Sequence, residues 1–232
     1  MTRLAKIGLL ALAVFLLWLP QAFALEMQLS AGPTTISIGD NGPLDSNAMV
    51  GAVTYVGSVG SSWYLNVTTG TSVPVTGSLV TPELDLSSLN ISGGSAPPLT
   101  VMFTDTGFGP LSAGSPFQAS IGGVLASDAT LSYVTWLDSL NVPFAQTTQL
   151  TSQAFGPGGA FSGTATSGAA VSLAPYSLTE VVTLTYRGGG GGNSSFNATV
   201  APVPTPEPAT LLLLGSGFAG LGAMGWRRRR RN

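Results

Sequence analysis

The chain has 232 residues and contains neither cysteine nor histidine. Without thiols there can be no disulfide and no cysteine-held metal cluster. Without imidazole there is no histidine-ligated zinc or haem, and no nucleophile activated by a histidine base. Charge is also scarce, at 8% of residues. Between Leu25 and Thr205 the single base is Arg187, set against Glu26, Asp40, Asp45, Glu83, Asp85, Asp105, Asp128, Asp138 and Glu180. Nine acids against one base give this part a formal charge of −8, which the whole-chain value of −2 conceals because the other bases lie at the two ends. Such a domain repels a phosphate backbone, so nucleic acid is not an expected partner. A cation or a neutral glycan surface is compatible with this balance.

The two ends read as export signals. Arg3 and Lys6 precede the apolar run Ile7 to Leu19, Pro20 breaks it, and Ala22-Phe23-Ala24 supplies a small-x-small cleavage pattern. Residues 1–24 are therefore expected to be a signal peptide for the general secretion machinery, cut by signal peptidase after Ala24. Residues 201–208 form a Pro-rich linker, residues 209–226 are uncharged and largely apolar, and residues 227–232 are five arginines and an asparagine. Eighteen helical residues span about 27 Å, near the short limit for a hydrocarbon core of about 30 Å. Trp226 suits the lipid boundary, and the arginines should remain on the cytoplasmic side. A transmembrane helix over 209–226 with a basic cytoplasmic tail is expected.

Three unlike elements follow one another here: Pro206-Glu207-Pro208, the apolar stretch opening Ala209-Thr210-Leu211-Leu212-Leu213-Leu214-Gly215, and the cluster Arg227, Arg228, Arg229, Arg230 and Arg231. In that order this stretch closely resembles the PEP-CTERM sorting signal of Gram-negative bacteria. The resemblance implies export to the periplasm, transient retention in the inner membrane and processing by an exosortase near the Pro-Glu-Pro motif. It also implies an association with exopolysaccharide, biofilm or floc. It covers about residues 204 to 231 and says nothing of the domain before them.

That domain, residues 25–200, reads as all-β. Its apolar residues come in short β-branched or aromatic bursts bounded by Gly, Pro, Asn and Asp. Expected strands include Thr34 to Ile38, Met49 to Val56, Trp63 to Thr68, Leu84 to Ile91 with Leu84, Leu86 and Leu89 inward, and Leu99 to Thr104. Later ones are Phe117 to Leu125, Leu131 to Leu137, Gln146 to Phe155, Phe161 to Thr166, Tyr176 to Tyr186 and Phe196 to Val200. No segment shows a 3.6-residue period. Of these eleven stretches Gln146 to Phe155 is polar and Phe161 to Thr166 alternates weakly; the eight to ten strands expected among them predict a β-sandwich or jelly-roll-like domain, flanked by the signal peptide and the C-terminal transmembrane helix. The Gly188 to Gly192 run beside Arg187 lacks the Lys-Ser or Lys-Thr of a phosphate loop and reads as a linker.

Two constellations are candidates for chemistry. Asp40, Asp105 and Asp138 each stand at a strand end or loop, where a carboxylate ordinarily closes an Asx turn. They are also the candidate Ca²⁺ ligands, and the candidate acid pair of a glycoside hydrolase, which needs two carboxyls about 5 to 9 Å apart. Trp63, Tyr64, Tyr133 and Trp136 are large amphipathic rings that core packing would ordinarily take. Neighbours of opposite strand phase put one member of each pair outward, where a ring can stack on a sugar. The expectation is a non-enzymatic, exported structural or adhesive protein of the envelope or extracellular matrix, acting through polysaccharide. A calcium-dependent carbohydrate-binding module is the second reading and a glycoside hydrolase the third.

Overall fold

In a computed structural model of the chain, the described residues are 25–94, 97–172, 175–188 and 192–203, with Leu214 and Ser216. The expected signal peptide with Ala22 and Ala24, the motif Pro206-Glu207-Pro208, the span over 209–226 and the arginines Arg227 to Arg231 lie outside them, Leu214 and Ser216 excepted. Among the described residues no helix is long and apolar enough to cross a membrane. Residues up to Pro202 form one compact unit and those from Val203 a second.

The described residues of the first unit are all-β, as their alternation predicts, but they hold more strands than expected. There are twelve among the described residues: β1 (Glu26–Ala31), β2 (Thr34–Gly39), β3 (Ala52–Val59), β4 (Trp63–Thr71), β5 (Leu84–Gly93), β6 (Leu99–Phe108), β7 (Leu111–Leu125), β8 (Ala129–Asp138), β9 (Thr148–Phe155), β10 (Gly159–Ser172), β11 (Tyr176–Tyr186) and β12 (Asn193–Pro202). They make two six-stranded sheets, in the orders β2-β1-β6-β11-β8-β9 (sheet A) and β10-β7-β12-β5-β4-β3 (sheet B). All pairings are antiparallel.

One shared core joins the sheets. Sheet A contributes Met27, Leu29, Val101, Phe103, Leu178 and Val182; sheet B contributes Leu65, Leu84, Leu86, Phe117, Ala198 and Val200, all within 1% of complete burial. Each set recurs at every second position, as one face of a pleated strand must. Two glycines let large rings into this layer. Gly93 pairs with Trp63, and a Cβ there would collide with the indole. Gly70 leaves room in the same way for the ring of Phe103 in the opposite sheet.

One inward assignment fails. Leu89 is 53% exposed. Asn90 has φ of +53° and interrupts the alternation, so Leu84, Leu86 and Ser88 point inward, Leu89 points out, and Ile91 returns to the core. A positive φ suits Asn better than a branched residue.

The connections sort by end. The loops β2–β3, β4–β5, β6–β7 and β8–β9 are laced together at one end: Gly51 N donates to Asp40 Oδ2, Ser72 N to Gly51 O, Gly109 N to Leu79 O, and Gly107 N to Asn141 Oδ1. The chain leaves β12 here at Pro202, and we call this the exit end. The turns after β1, β3, β5, β7, β9 and β11 form the opposite end, where Trp63 Nε1 donates to Pro97 O and Arg187 N to Asp128 O.

Candidate functional site

The three candidate aspartates all belong to the exit end, but they do different work. Asp138 is 1% exposed, and both its oxygens are occupied. Thr147 Oγ1 donates to Oδ1 at 2.9 Å and Val142 N donates to Oδ2 at 2.9 Å, which fixes the β8–β9 loop. Asp40 accepts from Gly51 N at 2.8 Å and from Asn41 Nδ2 at 2.9 Å, the side-chain-to-backbone role expected of an Asx residue. Asp105 is fully buried. Its Oδ1 accepts from Thr106 N at 2.7 Å, and its Oδ2 has no hydrogen-bond partner.

Asp105 is the electrostatically unusual member. Burial pushes its carboxyl up to about 6, the Ser72 hydroxyl and the Thr106 N–H draw it down, and the Asp40 charge adds a further upward push. Ser72 thus lies beside Asp105 without reaching hydrogen-bond geometry, since its own buried Oγ is unbonded as well. Asp138 is held separately by its own loop contacts. Among the described residues no three acidic side chains gather into a cation-binding cluster.

The aromatic candidates divide by strand phase. Trp63 is 2% exposed, packs against Tyr186 with ring centroids 5.0 Å apart and planes tilted by 47°, and donates to Pro97 O, so it is a core residue with no face for a sugar. Tyr133 is fully buried as well. Tyr64 is 47% exposed on the outer face of sheet B, between Ser58 and Ser92. Trp136 is half-buried and lies in β8, in the other sheet, out of phase with the inward Leu131, Tyr133 and Leu137. The two outward rings thus stand on different sheets, and the structure does not bring the four aromatics together.

The structure adds a buried acid that was not a candidate. Glu180 in β11 is fully buried, in phase with the inward Leu178, Val182 and Leu184. Tyr133 Oη donates to its Oε1 at 2.5 Å, and its Oε2 is unpaired. Desolvation holds this carboxyl well above the ordinary range, only partly offset by the Tyr133 hydrogen bond, and the Asp85 charge raises it further. The signal was available in the sequence: an acid at an inward position of the most regular strand.

The solvent faces of both sheets are rich in hydroxyls. Two shallow grooves cross them. One, of about 610 Å³, runs over β7, β10 and β12 and is lined by Ser120, Ser162, Thr164, Asn197 and Thr199. The other, of about 370 Å³, lies over β8, β9 and β11 and contains Thr130, Ser132, Thr183, Thr185, Phe155 and Arg187.

Comparisons with known proteins agree with the C-terminal reading and leave the domain open. No curated protein matches the chain. Among solved structures, the enzymatically active domain of bacteriophage CBA120 tailspike protein 4 aligns at 14% identity and a TM-score of 0.35, over 62% of this chain and 20% of that one. The infectious bursal disease virus Gx strain structure aligns at 10% identity and 0.32, over 80% of this chain and 56% of that one. Neither likeness reaches the level at which it informs function. The family model that matches does so at residues 204–231, and it describes the PEP-CTERM protein-sorting motif, so this chain is a protein bearing a PEP-CTERM sorting motif.

Proposed function

We propose that this protein is exported, held transiently in the inner membrane by its C-terminal segment, and released by exosortase as a structural or adhesive component of the cell envelope or extracellular matrix. The sorting motif at residues 204–231 carries the reading: it implies an exported, membrane-anchored precursor and an exosortase as processing enzyme. The nature of the domain supports the second half. Its core is made of sheet faces, and of the four carboxylate oxygens of Asp40 and Asp138 three accept backbone N–H or hydroxyl hydrogen bonds that organise loops. Its outer faces offer serine, threonine and asparagine in place of charge, a surface suited to the hydroxyls of polysaccharide.

The test is the identity of the two ends of the protein recovered from its host, fraction by fraction. Residue 25 at the start, an end near Pro206-Glu207-Pro208 and recovery in the matrix are expected. Replacing Pro206, Glu207 and Pro208 by alanine should leave an uncut precursor in the inner membrane. An intact arginine tail on wild-type protein confined to the inner membrane would overturn the processing claim.

A further inference from the structure

The charges of the domain are segregated. Glu26, Asp40, Asp45, Glu83, Asp85, Asp105 and Asp138 lie at or near the exit end, as their pairings and loop bonds place them. The only base, Arg187, lies at the opposite end, immediately after β11. Thr179 pairs with Thr104, which pairs with Glu26, so eight residues of strand separate the nearest exit-end rung from Arg187. At 3.3 to 3.4 Å per residue this is about 27 Å, more than three times the Debye length of about 8 Å at physiological salt. Arg187 is therefore electrostatically remote from the acidic end. Its one acidic neighbour is Asp128, whose Oδ2 accepts from Gly188 N at 2.9 Å and so is held toward the backbone while keeping its charge. The Arg187 side chain is exposed, and among the described residues no carboxylate forms an ion pair with it.

Its surroundings are ordered. By strand alternation Thr183 and Thr185 face outward on β11, and they pair with Ser132 and Thr130 of β8. These four hydroxyls, the Phe155 ring and Arg187 share the 370 Å³ groove. The hydroxyl row continues outside the groove. Thr183 pairs with Thr100, Thr100 faces Ser30 across β6 and β1, and Ser30 pairs with Thr35 of β2. The row Ser132, Thr183, Thr100, Ser30, Thr35 crosses five neighbouring strands, which at about 4.8 Å per strand spacing extends about 19 Å. The row meets the groove at Ser132 and Thr183, and from there Thr185 and Arg187 follow at every second position along β11 and just past its end. Hydroxyls leading to one guanidinium have a defined complement: a chain of hydroxyl-bearing rings that carries a carboxylate.

We propose that this groove binds an acidic polysaccharide, with the Arg187 guanidinium taking a sugar carboxylate and the Ser/Thr row taking ring hydroxyls. This rests on the reading of the domain as a polysaccharide-associated matrix protein and narrows it to a uronate-bearing polymer and one face of sheet A. A guanidinium presents a planar fork that pairs with both carboxylate oxygens, which an ammonium cannot do. A single base is too little for a nucleic-acid backbone, where affinity grows with the number of phosphates neutralised. It suffices for one carboxylate per binding unit.

The test is affinity electrophoresis of the full chain in nonionic detergent, with Arg227 to Arg231 replaced by glutamine in every variant so that the tail contributes no charge. Gels contain alginate, a polyuronate, or dextran, a neutral polymer. The chain with Arg187 intact should be retarded by alginate and not by dextran. Arg187→Gln should weaken the alginate dissociation constant at least tenfold, Arg187→Lys should recover part of it, and Thr183→Val should weaken it about threefold. The melting temperature of Arg187→Gln should equal that of the parent, since the side chain is exposed. Equal retardation of the parent and Arg187→Gln, no retardation by alginate, or equal retardation by dextran would each overturn the proposal. Matrix recovery from the host separates the two readings. A protein found in the matrix that ignores alginate retires the groove alone. One that binds alginate but never reaches the matrix retires the matrix role and leaves the groove.

Discussion

Tyr133 of β8 and Glu180 of β11 meet in the buried layer between the sheets, where the phenol donates to Oε1 at 2.5 Å and Oε2 is left unpaired. Burial dominates the Glu180 titration and raises it well above its ordinary value of 4.5. The folded state therefore keeps a proton that the unfolded chain loses. Where the native state binds more protons, stability falls as pH rises. The contribution is complete below about pH 4.5 and declines through the raised folded value. Glu180→Gln removes the ionisation. Its melting temperature relative to wild type should improve between pH 4 and pH 8, as measured by calorimetry at both. An identical difference at the two pH values would show that Glu180 does not carry the linkage. Tyr133→Phe leaves the carboxyl without a partner and should cost about 1–3 kcal/mol.

Asp105 works in the same direction over a narrower range. Its carboxyl moves from 3.8 to about 6, because burial outweighs the help of Ser72 and Thr106. The associated stability is present below about pH 3.8 and lost as pH rises to about 6. A shift of that size corresponds to a cost on the order of 3 kcal/mol for keeping the ionised carboxylate at neutral pH. Because Ser72 draws the carboxyl down, Ser72→Ala should raise its midpoint above about 6, read by carbon-detected NMR titration of the Asp105 carboxyl. A midpoint that falls or stays put would mean that Ser72 does not stabilise the charge.

Chelation gives a sharp contrast between the two readings of the aspartates. Calcium needs six to eight oxygens, and the carboxylates of Asp40 and Asp138 already accept from Gly51, Asn41, Val142 and Thr147. Adding EDTA should shift the melting temperature by less than about 1 °C, and adding millimolar calcium should raise it by no more. A ligand present at a hundred times its dissociation constant would stabilise by about 2.7 kcal/mol. A rise of that size would establish a calcium module.

How far the sequence foretold this structure depends on whether a feature is local. The bounds of Tyr176 to Tyr186 are legible, because Leu178, Val182, Leu184 and Tyr186 share one phase and the stretch coincides with β11, Glu180 being the inward position that breaks the apolar pattern. β1 alternates equally well through Met27, Leu29 and Ala31, but it stands close behind the apolar run Ile7 to Leu19 and the apolar residues Ala22 to Leu25, and its pattern merges with theirs. In Trp63-Tyr64 the phase says that one ring faces inward and does not say which. The answer is non-local: Gly93, thirty residues on in the sequence, clears the space that the indole fills. The pairing of Tyr133 with Glu180 is equally non-local, since it needs the register that sets Tyr133 against Val182. Arg187 looks isolated in the sequence because its companions Thr130 and Ser132 come from another strand. Asp40 follows β2 in a loop and Asp138 closes β8, but β6 runs on past the expected end at Thr104, so Asp105 lies within the strand; which of the three is left with an unpaired oxygen is decided by the packing around Ser72 and by loop closure.

The pair Thr135 and Thr151 tests whether buried hydroxyls hold the β8–β9 edge. Both are buried, at 0% and 5% exposure, and their Oγ1 atoms lie 2.7 Å apart across the register of the two strands. A hydroxyl bonded to a hydroxyl in the interior gains only a modest net free energy, but removing one leaves the other desolvated and unpaired. That asymmetry makes the single and double substitutions diverge. Thr151→Val alone, or Thr135→Val alone, should lower stability by about 1–3 kcal/mol. The double substitution conserves the branched shape that suits a strand and leaves no orphan, so it should cost less than the sum of the two and come within about 1 kcal/mol of wild type. Urea unfolding of the four proteins gives the coupling directly, as the departure from additivity. A coupling near zero would mean that the two hydroxyls act independently, and that the contact seen across β8 and β9 does not bind the edge strand to the sheet.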